Sequence, residues 1–312
     1  MWFMSLKKWK EILEINPFMT WSLKKSLLLI KFIQILGALL GDIFFYCIPV
    51  RRKIILENLT RAYLLQKTPK EIKALARKNV EHYGKMLFEI FYLRNQRQLK
   101  CHTGVIGQEV IQKALSQGKG IILLGLHLGN WEVMVRSFFM IGEPVHVVAR
   151  EIKSSWINYV VEKLRSQSGL TFISVEHSYR ALLSLLRQNK IIGLVLDQHK
   201  NAKNRALYVE FFNRPAATST AIASLALTSG AAVIPAYHYR KPDGSFGLVF
   251  ESPLELKKTG NLEEDIFYNT QLFTKKLEAI IRQYPEQWFW AHQRWKGTVP
   301  PWQTIKPVFK IA

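Results

Sequence analysis

A chain of 312 residues, 48% hydrophobic and 21% charged, has enough apolar material for a buried core, and its composition excludes a disordered chain. Its formal net charge of +21, from 44 Lys and Arg against 23 Asp and Glu, directs it toward anionic partners: nucleic acid, phospholipid headgroups, phosphorylated glycolipids or an acidic carrier protein. No zinc spacing, ribonucleoprotein motif or basic low-complexity arm supports nucleic acid, whereas nine Trp suit a lipid interface.

Residues 1 to 25 are basic and aromatic, with Trp2, Trp9 and Trp21 beside lysines as interfacial anchors. An apolar stretch from Ser26 to Val50 reaches spanning length but is interrupted by Lys31, Gln34 and Asp42. On a helix these three share one narrow sector with Lys24. Arg51-Arg52-Lys53 follows in place of a small-residue cleavage site, so the stretch reads as an anchor helix with one polar stripe, either spanning the bilayer or lying in its surface. The expected division is residues 1–60 for the basic segment and anchor, and 61–312 for the catalytic domain. Two cysteines, Cys47 and Cys101, form neither metal spacing nor a disulfide framework, so that domain is expected to face a reducing cytosol.

Thr68-Pro69-Lys70-Glu71 opens a helix with a capping box, and apolar residues then recur through Phe91. From Gly118 the rhythm changes. Predicted strands at Ile121–Leu126, Val145–Ala149, Thr171–Val175, Ile191–Leu196, Val233–Tyr239 and Phe246–Phe250 alternate with predicted helices at Trp131–Met140, Ser154–Gln167, Tyr179–Gln188 and Ala217–Thr228. Lys241-Pro242-Asp243-Gly244 is the turn between the last two strands, and an amphipathic helix runs through Ile266, Phe273, Leu277 and Ile281. The pattern predicts an α/β fold: a central mixed sheet covered by helices, preceded by the membrane-anchor helix.

The most informative segment runs from Gly120 to Glu132, where a buried strand ends and a polar cluster opens a helix. His127 and Glu132 are about 140° out of register on one continuous helix. They meet if His127 occupies the strand-to-helix turn and Glu132 the first helical turn, with Gly129 easing the bend. The carboxyl end of a strand is where open α/β sheets place their ligands. Such a pair suits hydroxyl activation, with His127 as general base and Glu132 orienting the ring. No G-x-S-x-G elbow exists, so direct attack of an alcohol on an acyl thioester is simpler than a serine acyl-enzyme. The remaining histidines show no metal-ligand spacing, and neither metal nor cofactor is expected.

His127-Leu-Gly-Asn-Trp-Glu132 resembles the H-x4-[DE] motif of the glycerolipid acyltransferase superfamily. Val147-Val-Ala-Arg150, Leu194-Val-Leu-Asp197-Gln198 and Ala232-Val-Ile-Pro235-Ala236 resemble its later blocks, in order. The Asp-Gln block, Phe211–Thr218 and Tyr284–Lys296 resemble the late acyltransferases of lipid A assembly, with Asn213 and Gln293 as departures where Gly and Arg are common. The resemblance implies fatty acyl transfer from acyl carrier protein to a hydroxyl of a phosphorylated lipid A precursor, at the cytoplasmic face of the bacterial inner membrane. Arg150, Asp197 and Arg294 are the implied substrate-binding residues. Arg150 would clamp a phosphate, Asp197 would line the cleft or cap a turn, and Arg294 would contact the acceptor or stack on an indole. Two other readings stay open. One is another glycolipid acceptor, such as a mannosylated phosphoinositide or an aminolipid; the other is an inactive membrane-surface binding protein.

Overall fold

A computed structural model describes residues 17–48, 50–148, 171–173, 178–200 and 206–296. The helices are α1 (Pro17–Tyr46), α2 (Arg52–Tyr63), α3 (Pro69–Tyr92), α4 (Gln96–His102), α5 (Gln108–Leu115), α6 (Trp131–Ser137), α7 (Ser178–Arg187), α8 (Ala221–Ser229) and α9 (Leu262–Gln283). The strands are β1 (Thr103–Ile106), β2 (Ile121–Gly125), β3 (Val145–Val148), β4 (Thr171–Ile173), β5 (Ile191–Val195), β6 (Ala206–Phe211), β7 (Arg214–Ser219), β8 (Ala232–Arg240) and β9 (Phe246–Phe250).

Seven strands form one sheet in the order β1-β9-β8-β2-β5-β3-β4, and β6 and β7 pair separately. The five strands from β8 to β4 run parallel, and β9 turns back antiparallel on β8 with β1 parallel beside it. The sheet is therefore mixed, as the sequence pattern predicts. Its centre is β2, whose five residues Ile-Ile-Leu-Leu-Gly are all buried, as a parallel strand covered on both faces requires. Ile122 and Leu124 face a large core closed by α2, α3, α7, α8 and α9, while Ile121 and Leu123 face a smaller one closed by α5 and α6.

The capping box at Thr68 and Glu71 forms as expected, and Gly230 ends α8 in the left-handed conformation. Three expectations are corrected. The helix predicted from Ala217 starts at Ala221, because Ala216, Ala217 and Thr218 are fully buried in β7, paired with β6. Alanine-rich sequence carries helical propensity, and cross-strand burial overrides it here. Strands β1, β6 and β7 have no counterpart among the predicted strands: β1 is four residues long, β7 is Arg-Pro-Ala-Ala-Thr-Ser, and β6 is an apolar run, Ala-Leu-Tyr-Val-Glu-Phe, outside the pattern read from Gly118 onward. Leu87 and Phe91, on the apolar stripe of α3, are exposed, while Asn79, His82 and Glu89 of the same helix are buried. Trp2, Trp9, Arg150 and the helix expected at 154–167 lie outside the described residues.

Helix α1 is docked, not free. Gly37 and Gly41 cross α3 at Gly84 so closely that a Cβ on Gly84 would lie 2.0 Å from the Gly37 carbonyl oxygen. This small-xxx-small crossing is a helix-packing device common in membranes. The polar stripe faces the body: Asp42 pairs with Arg77 at 2.7 Å, and Gln34 donates to Glu89 at 2.8 Å and to the Gly244 carbonyl at 2.9 Å. The opposite side leaves Leu28, Phe32, Ile35, Leu39 and Ile43 exposed. Lys25–Tyr46 is the helix, among the described residues, long and apolar enough to cross a membrane.

Candidate active site

Strands β2 and β5 are parallel neighbours in the register Gly125↔Val195, and the same register two residues further sets His127 beside Asp197. The backbone N–H of His127 donates to Asp197 Oδ2 at 2.8 Å, and His127 Nδ1 lies 2.9 Å from Asp197 Oδ1. An ionised carboxylate only accepts, so Nδ1 carries its proton and Nε2 is left as the basic nitrogen of the neutral ring. Trp288 Nε1 donates to Asp197 Oδ2 at 2.7 Å, so the buried carboxylate has three protein donors.

Burial opposes a charged His127, but the Asp197 charge and hydrogen bond, with the Glu132 charge added, outweigh it and hold the imidazole above its usual value. Burial likewise opposes an ionised Asp197, and here the His127 charge and the hydrogen bonds from His127 and Trp288 win, holding the carboxyl below its usual range. The pair is mutually stabilising, and each partner's shift has the other as its main favourable cause.

The turn between β2 and α6 is built by close approach. Gly129 has φ of 59°, and a Cβ there would lie 2.0 Å from the His238 carbonyl oxygen. Only glycine fits. Asn130 caps α6 by accepting from the Val133 N–H at 3.3 Å, which puts Glu132 in the first helical turn, where a carboxylate suits the positive end of the helix. The expected layout of His127 in the turn and Glu132 on the helix is thus present, and Glu132 acts on His127 through its charge. The hydrogen bond that orients the ring is the one its Nδ1–H donates to Asp197, on the neighbouring strand. Sequence spacing carried no sign of this contact, because it depends on strand order.

The C-terminal segment closes the site. Leu128 bridges Trp288, the Gly129 N–H donates to the Gln287 carbonyl at 3.0 Å, and the Phe289 N–H donates to the His127 carbonyl at 3.0 Å. The rings of Trp131 and Phe289 stand 5.5 and 6.2 Å from the imidazole. Buried Asn58 holds the Trp290 and His292 carbonyls, and buried Asn79 those of Glu286 and Trp288. The side-chain amide of Gln198 reaches over the ring, its nitrogen 3.3 Å from His127 Nε2 and 3.4 Å from Nδ1.

Below the turn lies a buried polar cluster. Glu89 accepts from Arg240 at 2.5 and 2.7 Å, from Gln34 at 2.8 Å and from Asn130 at 3.0 Å. The third nitrogen of Arg240 donates to His82 Nδ1 at 2.7 Å, so His82 Nε2–H donates onward to the Gly129 carbonyl at 3.2 Å. Burial and the Arg240 charge keep His82 well below its ordinary pKa, consistent with this neutral form.

Arg294 is fully buried. It donates to the Ala217 carbonyl at 2.6 Å and to Thr218 Oγ1 at 2.5 Å, and its guanidinium lies 5.1 Å from the Phe211 ring centre. It thereby ties the β6–β7 hairpin to the closing segment, and the ring it lies against is the Phe211 phenyl; acceptor contact and indole stacking were the two expectations. The hairpin turn is Phe212-Asn213, at φ of 53° and 56°. Such two-residue turns favour glycine, and asparagine tolerates the conformation, which accounts for that departure. Gln293 is exposed.

The family model for bacterial lipid A biosynthesis acyltransferases matches residues 18–297. The lipid A biosynthesis lauroyltransferase of Escherichia coli K12 is 27% identical over 263 residues, which is 84% of each chain. The lipid A biosynthesis palmitoleoyltransferase of the same organism is 24% identical over 62% of this chain and 61% of its own. A phosphatidylinositol mannoside acyltransferase of Mycolicibacterium smegmatis is 24% identical over 76% of this chain and 77% of its own.

Proposed function

The chain belongs to the bacterial lipid A biosynthesis acyltransferase family and is an acyltransferase, and from that premise we propose that it moves a fatty acyl chain from acyl carrier protein to a hydroxyl of a phosphorylated lipid A precursor. The observation that carries the mechanism is the double hydrogen bond from His127 to Asp197, which leaves Nε2 as the base. The acceptor hydroxyl gives its proton to Nε2 while its oxygen attacks the thioester carbonyl. Asp197 and Glu132 stabilise the imidazolium that forms. The Gln198 amide N–H meets the oxyanion of the tetrahedral intermediate. Collapse breaks the C–S bond, and the imidazolium returns its proton to the departing thiolate. The ester and the free carrier thiol are the products, with no covalent enzyme intermediate.

The net charge of +21 supports both partners, since acyl carrier protein and lipid A precursors are anionic. Helix α1 turns its polar stripe to the domain and its apolar side outward, which supports a helix lying in the membrane surface, at the cytoplasmic face of the inner membrane. The mycobacterial relative supports a second acceptor, a mannosylated phosphoinositide.

The test is acyl transfer from a panel of acyl carrier protein thioesters to each acceptor in detergent micelles. Wild type is run beside His127→Ala and Glu132→Ala. Transfer to the lipid A precursor, with a loss of at least about 10²-fold in each variant, is expected. Activity surviving His127→Ala sinks the mechanism. Transfer only to the mannolipid reassigns the acceptor, and transfer to neither, by folded protein, leaves a membrane-surface binding protein.

A further inference from the structure

Away from His127, a groove of about 910 Å³ opens between α1, α3 and the β8–β9 turn. Its charges are unequal in a way the pairing makes plain. Three acidic residues line it, Asp42 and Glu81, which share Arg77, and Glu286, which accepts only from the neutral Gln287 amide, against six basic ones, of which Arg240 is matched by Glu89 from beneath. Lys31, Lys85 and Lys241 also line the groove, and none of the three side chains makes a hydrogen bond or ion pair among the described residues. Lys85 is the most telling. It is half-buried, and burial first, then the Arg240 charge, hold its ammonium below the usual lysine pKa, although the Glu81, Glu89 and Glu286 charges favour it. A partly desolvated ammonium with three open donors is a standing cost that an anion would relieve.

The outer rim is of opposite character. Ile35 and Leu39 of α1 line the same groove and are 58% and 55% exposed, on the side that faces away from the body. The rim is held in place by the backbone-to-backbone crossing of Gly37 and Gly41 with α3. Lysines inside an apolar edge fit one kind of molecule, an amphiphile with a phosphate head and acyl tails. We propose that this groove binds the headgroup of an anionic phospholipid, with its phosphate among Lys31, Lys85 and Lys241 and its chains along Ile35 and Leu39. Gln34, His82 and Arg240 line the groove as well, so the bound head would rest against the buried cluster that supports the Gly129 turn.

The experiment needs neither acyl donor nor acceptor, so its outcome is independent of the reaction proposed above. Delipidated full-length protein is offered equal phosphatidylglycerol and phosphatidylcholine in detergent, and retained lipid is read by native mass spectrometry. One retained phosphatidylglycerol is expected, with a preference of about fivefold for each lysine engaged. Lys85→Met lowers that retention about fivefold and Lys85→Arg restores it, while Lys53→Met, on α2, changes nothing. Should Lys85→Met fail to fold, the double variant Lys31→Met with Lys241→Met reads the same site. Equal retention of the two lipids, or unchanged retention in the groove variants, overturns the proposal. Displacement of the lipid by millimolar inorganic phosphate overturns it too, in favour of a free-phosphate site.

Discussion

His127 and Asp197, 70 residues apart, are joined by two hydrogen bonds, one from the His127 backbone N–H and one from its ring, each to a different oxygen of the same carboxylate. One residue thus fixes the position of the main chain, the plane of the ring and its tautomer. The proton on Nδ1 and the lone pair on Nε2 are consequences of a single contact between parallel strands.

Replacing Asp197 by Asn leaves an amide that can donate to Nδ1 and force the proton onto Nε2, where it blocks the base. The expected loss is about 10² to 10⁴-fold in kcat with little change in KM. The pH profile carries a second sign. The proposed mechanism requires neutral His127, whose pKa is raised chiefly by Asp197 against burial, so wild-type activity is expected to rise through a midpoint above the ordinary histidine value. In the variant burial remains and the charge is gone, so that midpoint moves to lower pH. A midpoint that stays or rises in kcat-versus-pH measurements would count against this assignment.

Glu132→Gln removes the other charge acting on the ring while keeping its size. Its acidic limb should also move down, by less than in the Asp197 variant, since Asp197 ranks above Glu132 among the charges favouring the imidazolium. The same pH series read side by side decides the order.

Breaking the buried pair beneath the turn should be costly. Glu89→Ala leaves the mostly buried Arg240 without its carboxylate and takes one acceptor each from Gln34 and Asn130, at a cost of about 3–5 kcal/mol. Urea unfolding of the detergent-solubilised protein measures it. A change under 1 kcal/mol, on the order of an exposed pair, would show that the cluster is not as closed as its burial indicates.

Gly129→Ala should abolish activity and most folded yield, because its Cβ would meet the His238 carbonyl at 2.0 Å, a contact with main chain that cannot swing aside. Asn213→Gly is the opposite case. The left-handed turn accepts glycine, so stability should stay within about 0.5 kcal/mol, whereas Asn213→Val should lose about 1–2 kcal/mol in the same unfolding assay.

Local chemistry made part of this site readable. The apolar run of β2, the glycine in the turn and the cap at Asn130 are signals within a dozen residues, and they place His127 and Glu132 where the structure has them. For Asp197 the sequence leaves lining the cleft and capping a turn both open, and its bond to His127 is set by which strands are neighbours, an order that leaves no local trace. Gln34 presents a similar case. On a helical wheel it is a flaw in an anchor, and only the partner Glu89, 55 residues away, turns it into a docking contact. Strand β7, Arg-Pro-Ala-Ala-Thr-Ser, gives no alternation, whereas β6, Ala-Leu-Tyr-Val-Glu-Phe, is an apolar run with strand-forming residues that the sequence does offer.

The crossing of α1 over α3 bears on how this enzyme can be handled. Cutting away the first 46 residues to obtain a water-soluble version would bare the seam at Gly84, take the Gln34 donor from Glu89 and remove one wall of the lysine-lined groove. The exposed apolar side and the support of the Gly129 turn draw on the same helix, so solubility gained by trimming would be taken directly from the framework beneath His127.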